Sequence, residues 1–466
     1  MKKKIALLLA AVLGVSTITG CTPASNQNTG RNKDGKIEIS VGNWPTENDP
    51  EYYEFITKQK EEFEAENPDI VIVPDNWLFS LDTFYSKAAS GQLPTVYYSN
   101  FTEIEKIIDG GYYTDISGGL KRAGYEGKFS DAVLSIISNG DEIVSFPTDT
   151  YALGLAINID LFKKAGLVDP DGTPKQPKDW DEVVEFGKKI KETTGKNGFI
   201  VPTMNNFGGW LFTPVAWGFG VNFMKSEGEQ KYTATFDDDK MVQALQYISD
   251  LKWKHNIFGE NALIDADEYF KQFALGNVGM IITAPDFPSK LEKYEMPLEK
   301  MGMVAIPSGP DKRVTLTGGY TATVSNGATE EQVDAAIKWL EKVGSTYKVS
   351  DDFRKTKEED YKLNNEQGRA IGLDGLSIYT DDTESRAITL ELMEKYATLD
   401  KNAVRLYNES IHDNSIEYRP EEPVCTQELY SMLDGLIQEV LTKKDADIPA
   451  LVKKANQDFQ SNYLNK

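Results

Sequence analysis

The sequence predicts an α/β architecture divided into two or three lobes, on two observations. Strand-like and amphipathic helix-like segments alternate along most of the chain. Its 466 residues also exceed what one core serves, since domains usually run to ~100–200 residues. Ligands of such folds usually sit beyond the carboxyl ends of strands.

The first element is no part of that fold. In "MKKKIALLLAAVLGVSTITGC", Lys2, Lys3 and Lys4 precede an apolar run from Ile5 to Val15, far shorter than the ~20 residues of a membrane-spanning helix. It reads as a secretory signal peptide over residues 1–20. The ending "ITGC" (Ile18 to Cys21) resembles the lipobox of bacterial lipoproteins, which implies that Cys21 becomes the acylated (palmitate-bearing) first residue. Residues 21–36 then form anchor and linker: the stretch from 22 is polar, with Pro23, Gly30 and Gly35, and buries little. No other run of 18 or more apolar residues occurs.

Ile37, Ile39 and Val41 alternate with polar residues as in a half-buried strand, and "IVIV" (Ile70 to Val73) is a continuous run typical of a sheet interior. Between them Phe55, Ile56, Gln59 and Phe63 share one helical face, giving strand, helix and strand in parallel order. The pattern recurs around "TVYYSN", "EIVSF", "VGMIIT", "GMVAI" and "TATVS". Tyr85 falls in a helical pattern and is assigned to core. Trp180, Val183, Val184, Gly187 and Ile190 form a helix face entered through Asp179 with Glu182 three residues on, a capping-box-like start. A second begins at Thr329 with Gln332 and continues through Val333, Ala336, Ile337 and Leu340. From Ser345 to Pro423 the chain is helix-like and charged, without clear strands.

Composition narrows the chemistry. Fifty basic against 73 acidic residues give a formal charge of −23, which disfavours nucleic acid and anionic membrane surfaces as partners. Once Cys21 is acylated, Cys425 is a lone thiol, unable to form an internal disulfide. The two histidines, His255 and His412, belong to no H-E-x-x-H segment, and neither a G-x-S-x-G elbow nor a G-x-x-x-x-G-K-[ST] loop is present. No catalytic residue, metal or cofactor is therefore expected. Paired carboxylates flanking a sugar bond would make a glycosidase, and 73 acids supply such a pair easily by chance. "DPDGT" (Asp169 to Thr173) lacks the spaced ligands of a calcium loop and reads as a turn.

Aromatic residues recur where strands finish: Trp44, Trp77, Tyr97, Tyr98 and Phe101, then Tyr151, Trp210, Trp217 and Tyr320. Flat rings pack on the C–H faces of pyranoses while neighbouring Asn, Asp and Glu take the hydroxyls. For any one ring taken alone, core is the commoner place. Trp44, Trp210 and Tyr320 stand out because Gly or Pro neighbours place them in loops.

Six motifs follow in order: "FEAENPDIVI" (Phe63 to Ile72), "SGQLPTVYY" (Ser90 to Tyr98), "FPTDTYALGLAINIDLFKKAGL" (Phe146 to Leu167), "PKDWDEVVEFGKKI" (Pro177 to Ile190), "FALGNVGMIITAP" (Phe273 to Pro285) and "IPSGP" (Ile306 to Pro310). Together they resemble the family 1 extracellular solute-binding proteins of ABC importers, relatives of maltose-binding protein. The resemblance implies a type II periplasmic-binding-protein-like fold, two α/β lobes with a ligand cleft between them that closes on binding. Crossings are expected near Phe146 to Tyr151, near Gly318 to Ala322 and before "YRPEEPV" (Tyr418 to Val424). Lobe 1 would comprise 37–148 and 322–416, and lobe 2 would comprise 149–320 and 417–466.

By the same resemblance the ligand-binding set is Trp44 and Glu47 after the first strand, Ser99 and Asn100 after "LPTVYY", Asp149 and Tyr151 at the first crossing, and Asp286. Trp77, Trp210, Trp217 and Tyr320 complete it as aromatic candidates. Asp286 in "TAPDF" stands where maltose-binding protein has the stacking tryptophan of "GPW", which implies hydroxyl recognition by a carboxylate there and argues against a maltodextrin ligand. The implied function is a monomeric, lipid-anchored binding protein on the extracellular face of a Gram-positive membrane, handing an oligosaccharide to ABC permease subunits. A surface glycoside hydrolase or lyase is the alternative, as is the same fold binding a peptide, polyamine or metal complex.

Overall fold

Two β-sheets, each backed by its own helices, organise the chain. The computed structural model describes residues 30–46, 48, 50–228, 231–412 and 415–464; the signal segment, Cys21 and Glu47 lie outside the described residues. The first sheet contains β1 (Ile37–Val41), β2 (Ile70–Pro74), β3 (Val96–Asn100), β6 (Phe146–Ala152), β13 (Val314–Val324) and β14 (Glu417–Arg419), in the order β14-β13-β3-β1-β2 with β6 also on β13. The second runs β12 (Met301–Val304), β7 (Gly154–Asn158), β11 (Val278–Thr283) and β8 (Asn197–Phe199). Two hairpins, β4 (Ser138–Asn139) with β5 (Glu142–Ile143) and β9 (Met224–Gly228) with β10 (Lys231–Ala234), stand apart.

β1 and β2 pair in parallel, Ile37 opposite Ile70, and the helix Pro50–Glu66 connects them. Three local expectations need correction. Residues 30–36, expected as linker, dock on the fold, where Arg31 bridges Ile37 and its guanidinium donates to Glu331. β2 is an edge strand: Ile70 and Ile72 are buried, but Val71 is only half-buried and Val73 is exposed. An apolar run of four cannot by itself distinguish an edge from an interior, because that depends on which strand arrives later. Phe55 leaves the apolar stripe of its helix; Ile56 and Phe63 are buried, whereas Phe55 is 52% exposed and stacks on Tyr52. One residue of phase is about 100° of rotation, enough to turn a ring from core to solvent.

Local signals at helix starts match their geometry. Asp179 accepts the Glu182 N–H at 2.8 Å, although the Glu182 carboxylate takes the Lys178 N–H rather than that of Asp179. Thr329 and Gln332 form the full reciprocal box. The Asp169–Thr173 segment is a turn with Gly172 at φ +93°. Asn402 and Arg405 hold it by bonds to the Asp171 carbonyl and the Thr173 hydroxyl.

The two cores meet along β6 and β13. Val314 and Leu316 belong to the second core, Ala322 and Val324 to the first, so β13 passes from one to the other within eleven residues. At its centre a Cβ on Gly318 would lie 2.3 Å from the Tyr151 hydroxyl, and one on Gly319 would lie 2.2 Å from the Asp149 carbonyl. Two glycines are thus required where β13 lies closest to β6. β6 continues through Leu153 directly into β7.

The segment expected to hold the third crossing divides between the two cores. Tyr379 bridges Phe129 and the Ile378 carbonyl accepts from Ser130, placing this stretch on the first core. Leu399, Ala403, Val404, Tyr407, Ile411 and Ile416 are all buried in the second, and Ala370 and Leu373 already pack against it, so residues 399–416, expected on the first lobe, pack on the second core. The cause is the amphipathic helix Lys401–Ser410, which packs on β12. In the same segment, Arg386 donates to both oxygens of buried Asp374 and also reaches Asp381, while His412 Nδ1 lies 2.9 Å from Asp381. β14, a three-residue strand on β13, was invisible to pattern reading because three residues show no period.

Candidate functional site

The helix Phe207–Gly218 sets one wall. Its start, "NFGGW", lies against the helix Thr426–Thr442, whose buried Asp434 accepts the N–H groups of Asn206 and Gly209, both at 2.7 Å. A Cβ on Gly208 would fall 2.4 Å from the Asp434 carboxylate, and one on Gly209 would fall 2.3 Å from the Tyr430 carbonyl. The glycines let the helix end seat on its neighbour, and Asp434 satisfies donors that a helix start leaves unpaired. Burial pushes the Asp434 carboxyl pKa up, against the pull of these N–H groups.

That seating fixes Phe207 and Trp210, one turn apart, as a stacked pair with centroids 5.6 Å apart and planes at 28°. Both line a cavity of about 500 Å³ with Asp149 and Tyr151 from β6, Phe270, the segment from Thr283 to Asp286, and Lys290. Asp286 ends the connection from β11 and pairs with Lys290 at 3.1 Å. Burial, then the nearby Glu421, raises the Tyr151 pKa, keeping the phenol protonated and able to donate. The cavity thus combines flat rings, two exposed carboxylates, an ammonium and a phenol. Such a mixture suits a polyhydroxylated ring compound.

A second cavity of about 360 Å³ lies on the first core, lined among others by Trp44, Tyr52, Phe55, Tyr98, Thr148 and Trp339. Trp44 is 6% exposed and stacks on Trp339 at 5.8 Å, so Trp339 covers one of its faces. Thr148 in this cavity and Asp149 in the other are consecutive residues of β6. The two cavities therefore adjoin the same crossing strand. Tyr320, 57% exposed, stands opposite both Asp149 and Asn100 in the sheet register, and exposed Asn100 lies with it outside both cavities.

Three candidates belong elsewhere. Trp217 is fully buried, its indole N–H donating to Glu422 at 3.0 Å with Arg419 over the ring. Ser99 is buried and its hydroxyl meets that of Thr321 at 3.2 Å, joining β3 to β13. Trp77 packs on Phe79, bonds to Thr83 and lies beneath Lys87. Phe207, Phe270, Lys290, Tyr52 and Phe55 line the cavities unanticipated. For Phe207 the signal was present, a second ring three residues before Trp210; Phe270 and Lys290 come from segments that only folding brings here. Among the described residues no group of three or more His, Cys, Asp or Glu is placed to hold a metal ion, and no helix is long and apolar enough to cross a membrane.

The family model described as bacterial extracellular solute-binding protein matches residues 44–346. A protein of Brucella abortus named as a binding protein is 29% identical over 289 residues, covering 59% of this chain and 64% of the relative. The chain thus aligns with somewhat under two thirds of that relative's length. An arabinooligosaccharide-binding protein of Halalkalibacterium halodurans is 29% identical over 153 residues, 32% of each chain. Among solved structures, the cyclic α-maltosyl-1,6-maltose binding protein of Arthrobacter globiformis superposes with a TM-score of 0.60 at 21% identity, over 92% of this chain and 99% of that one. At that identity the likeness concerns the two-lobed fold.

Proposed function

This chain belongs to the bacterial extracellular solute-binding protein family, and on that premise we propose that it captures an oligosaccharide and delivers it to the permease of an ABC importer. One observation carries the ligand class: the stacked Phe207–Trp210 pair shares a cavity with Asp149, Asp286 and Tyr151. Rings of this kind bind the apolar face of a sugar, and the polar groups orient its hydroxyls. The names of the relatives point the same way, since two of those compared bind oligosaccharides. A buried hydroxyl-to-carboxylate bond discriminates because its loss strands a polar group, at roughly 1–3 kcal/mol.

The aromatic cavity on the first core, with Tyr52 and Phe55 at its rim, supplies the opposing wall. Ligand bound to one wall gains contacts with the other only when the lobes approach, which shifts the population toward the closed form. Calorimetry with malto-, cello-, xylo-, galacto- and arabino-oligosaccharides of two to six units tests the reading. At least one series should bind, and Trp210→Ala should weaken it about 10- to 100-fold, the effect of losing ~1.4–2.8 kcal/mol. Failure of every series, or an unaffected mutant, overturns the ligand class or the platform. Binding requires no covalent step; new reducing ends on incubation would instead favour the hydrolase.

The amino-terminal segment supports a lipid anchor at Cys21 in a cell without an outer membrane, the linker holding one copy of the protein near its permease. Cys21→Ala should release the protein into the medium with its sugar affinity intact. Retention in the membrane fraction would refute the anchor.

A further inference from the structure

A third cavity, of about 300 Å³, adjoins the first and shares Pro285 and Asp286 with it. Its opposite side comes from the helix Phe353–Glu366, which contributes Tyr361 and Asn364, and from Arg369 in the segment that follows. These belong to the charged region in which sequence patterns showed no function. The floor is apolar, including Ile371, Met393 and Leu399, while the rim is polar. The Arg369 guanidinium donates to the Asn364 side-chain oxygen at 3.0 Å, which orients its planar fork at the rim. Burial raises the Tyr361 pKa, so its phenol remains a donor.

Charge limits what such a space accepts. Arg369 is the one cation in a lining that also holds two carboxylates, Asp286 and Glu292, and Asp286 already pairs with Lys290 at 3.1 Å, so the charges around the space nearly balance and match neither a strong anion nor a polyamine. An apolar floor with a rim of donors and acceptors instead matches a neutral sugar ring. Asp286, exposed and common to both spaces, can meet hydroxyls from either side.

We infer that this cavity is an extension subsite, receiving the further units of an oligosaccharide whose first units occupy the cleft beside Trp210. The inference rests on the carbohydrate reading above and deepens it: the substrate class is an oligosaccharide longer than a disaccharide. The test uses the same five series of two to six units on the full protein, with wild type, Arg369→Ala and the cavity-filling Met393→Trp. In wild type, lengthening a bound disaccharide should strengthen binding about tenfold or more once the chain reaches the third cavity. Both variants should lose that increment while keeping disaccharide affinity within about twofold. Arg369 is exposed, so its replacement reports even if the tryptophan perturbs folding. Disaccharide binding without gain on lengthening, or a gain that survives Arg369→Ala and Met393→Trp, overturns the subsite and leaves carbohydrate capture standing. No binding by any member overturns both.

Discussion

Trp210 and Trp217 stand seven residues apart on one helix, two turns, and so on nearly the same face. Their fates differ because the helix passes from the cleft at its start into the second core at its end. Trp210 is half-buried beside Phe207; Trp217 has no exposed surface and bonds to Glu422. Periodicity could not separate them, since it reports the face of a helix and not the depth of each turn. The consequences of removing them should separate cleanly. Trp217→Ala empties a packed site and should lower stability by about 3–5 kcal/mol in urea unfolding, whereas Trp210→Ala should move the midpoint far less and act on binding. Equal destabilisation by both would contradict this division of roles.

At the scale of elements, the cleft wall depends on a contact between two helices remote in sequence. Asp434 caps the Phe207–Gly218 helix from outside it, accepting from Asn206 and Gly209. Asp434→Ala would strand both donors beneath the helix Thr426–Thr442, at a cost on the order of 2–3 kcal/mol. It should also weaken sugar binding although Asp434 does not line the cleft, because Phe207 and Trp210 ride on the released helix end. Asp434→Asn keeps one of the two acceptor oxygens and turns its NH2 toward the other N–H, and should restore the affinity only in part. An unchanged calorimetric titration for Asp434→Ala would show that the helix end is held by packing alone.

For the whole molecule, the crossing strands and their neighbours bury charge inside an acidic protein. Burial raises the carboxyl pKa of Glu103, Glu422 and Asp434, even though Lys106 and Arg419 stand beside the first two. A carboxyl whose folded pKa lies above its unfolded value, near ~4.3 for Glu, binds more protons folded than unfolded. Stability therefore falls as pH rises from about that value through the raised ones, and the surplus of acids adds repulsion in the same direction. Asp374 opposes only in more acid solution, since despite its burial His412 and Arg386 hold its pKa low; of the two histidines, burial lowers the pKa of His255, which opposes the trend, and Asp374 raises that of His412, which adds to it. The melting temperature should decline between about pH 4.5 and 7, and decline less in Glu422→Gln. A wild-type profile that rises over that interval would reverse the assignment.

The sequence by itself determined the α/β class, the strands β1, β2, β3, β11 and β12 with the end of β13, and the caps at Asp179 and Thr329, because these depend on residues within a few positions of one another. It also determined the family, through motifs spaced from Phe63 to Pro310, and picked Asp149, Tyr151, Trp210 and Asp286, which the fold gathers around one cavity. Tertiary structure alone decided that β2 lies at an edge, that Phe55 faces out while Trp217 faces in, and that 399–416 packs on the second core. It alone brought Phe270, Lys290 and the helix Phe353–Glu366 to the same neighbourhood. Local pattern states which side of an element is apolar; what that side meets depends on distant segments, whose arrival no short window of sequence contains.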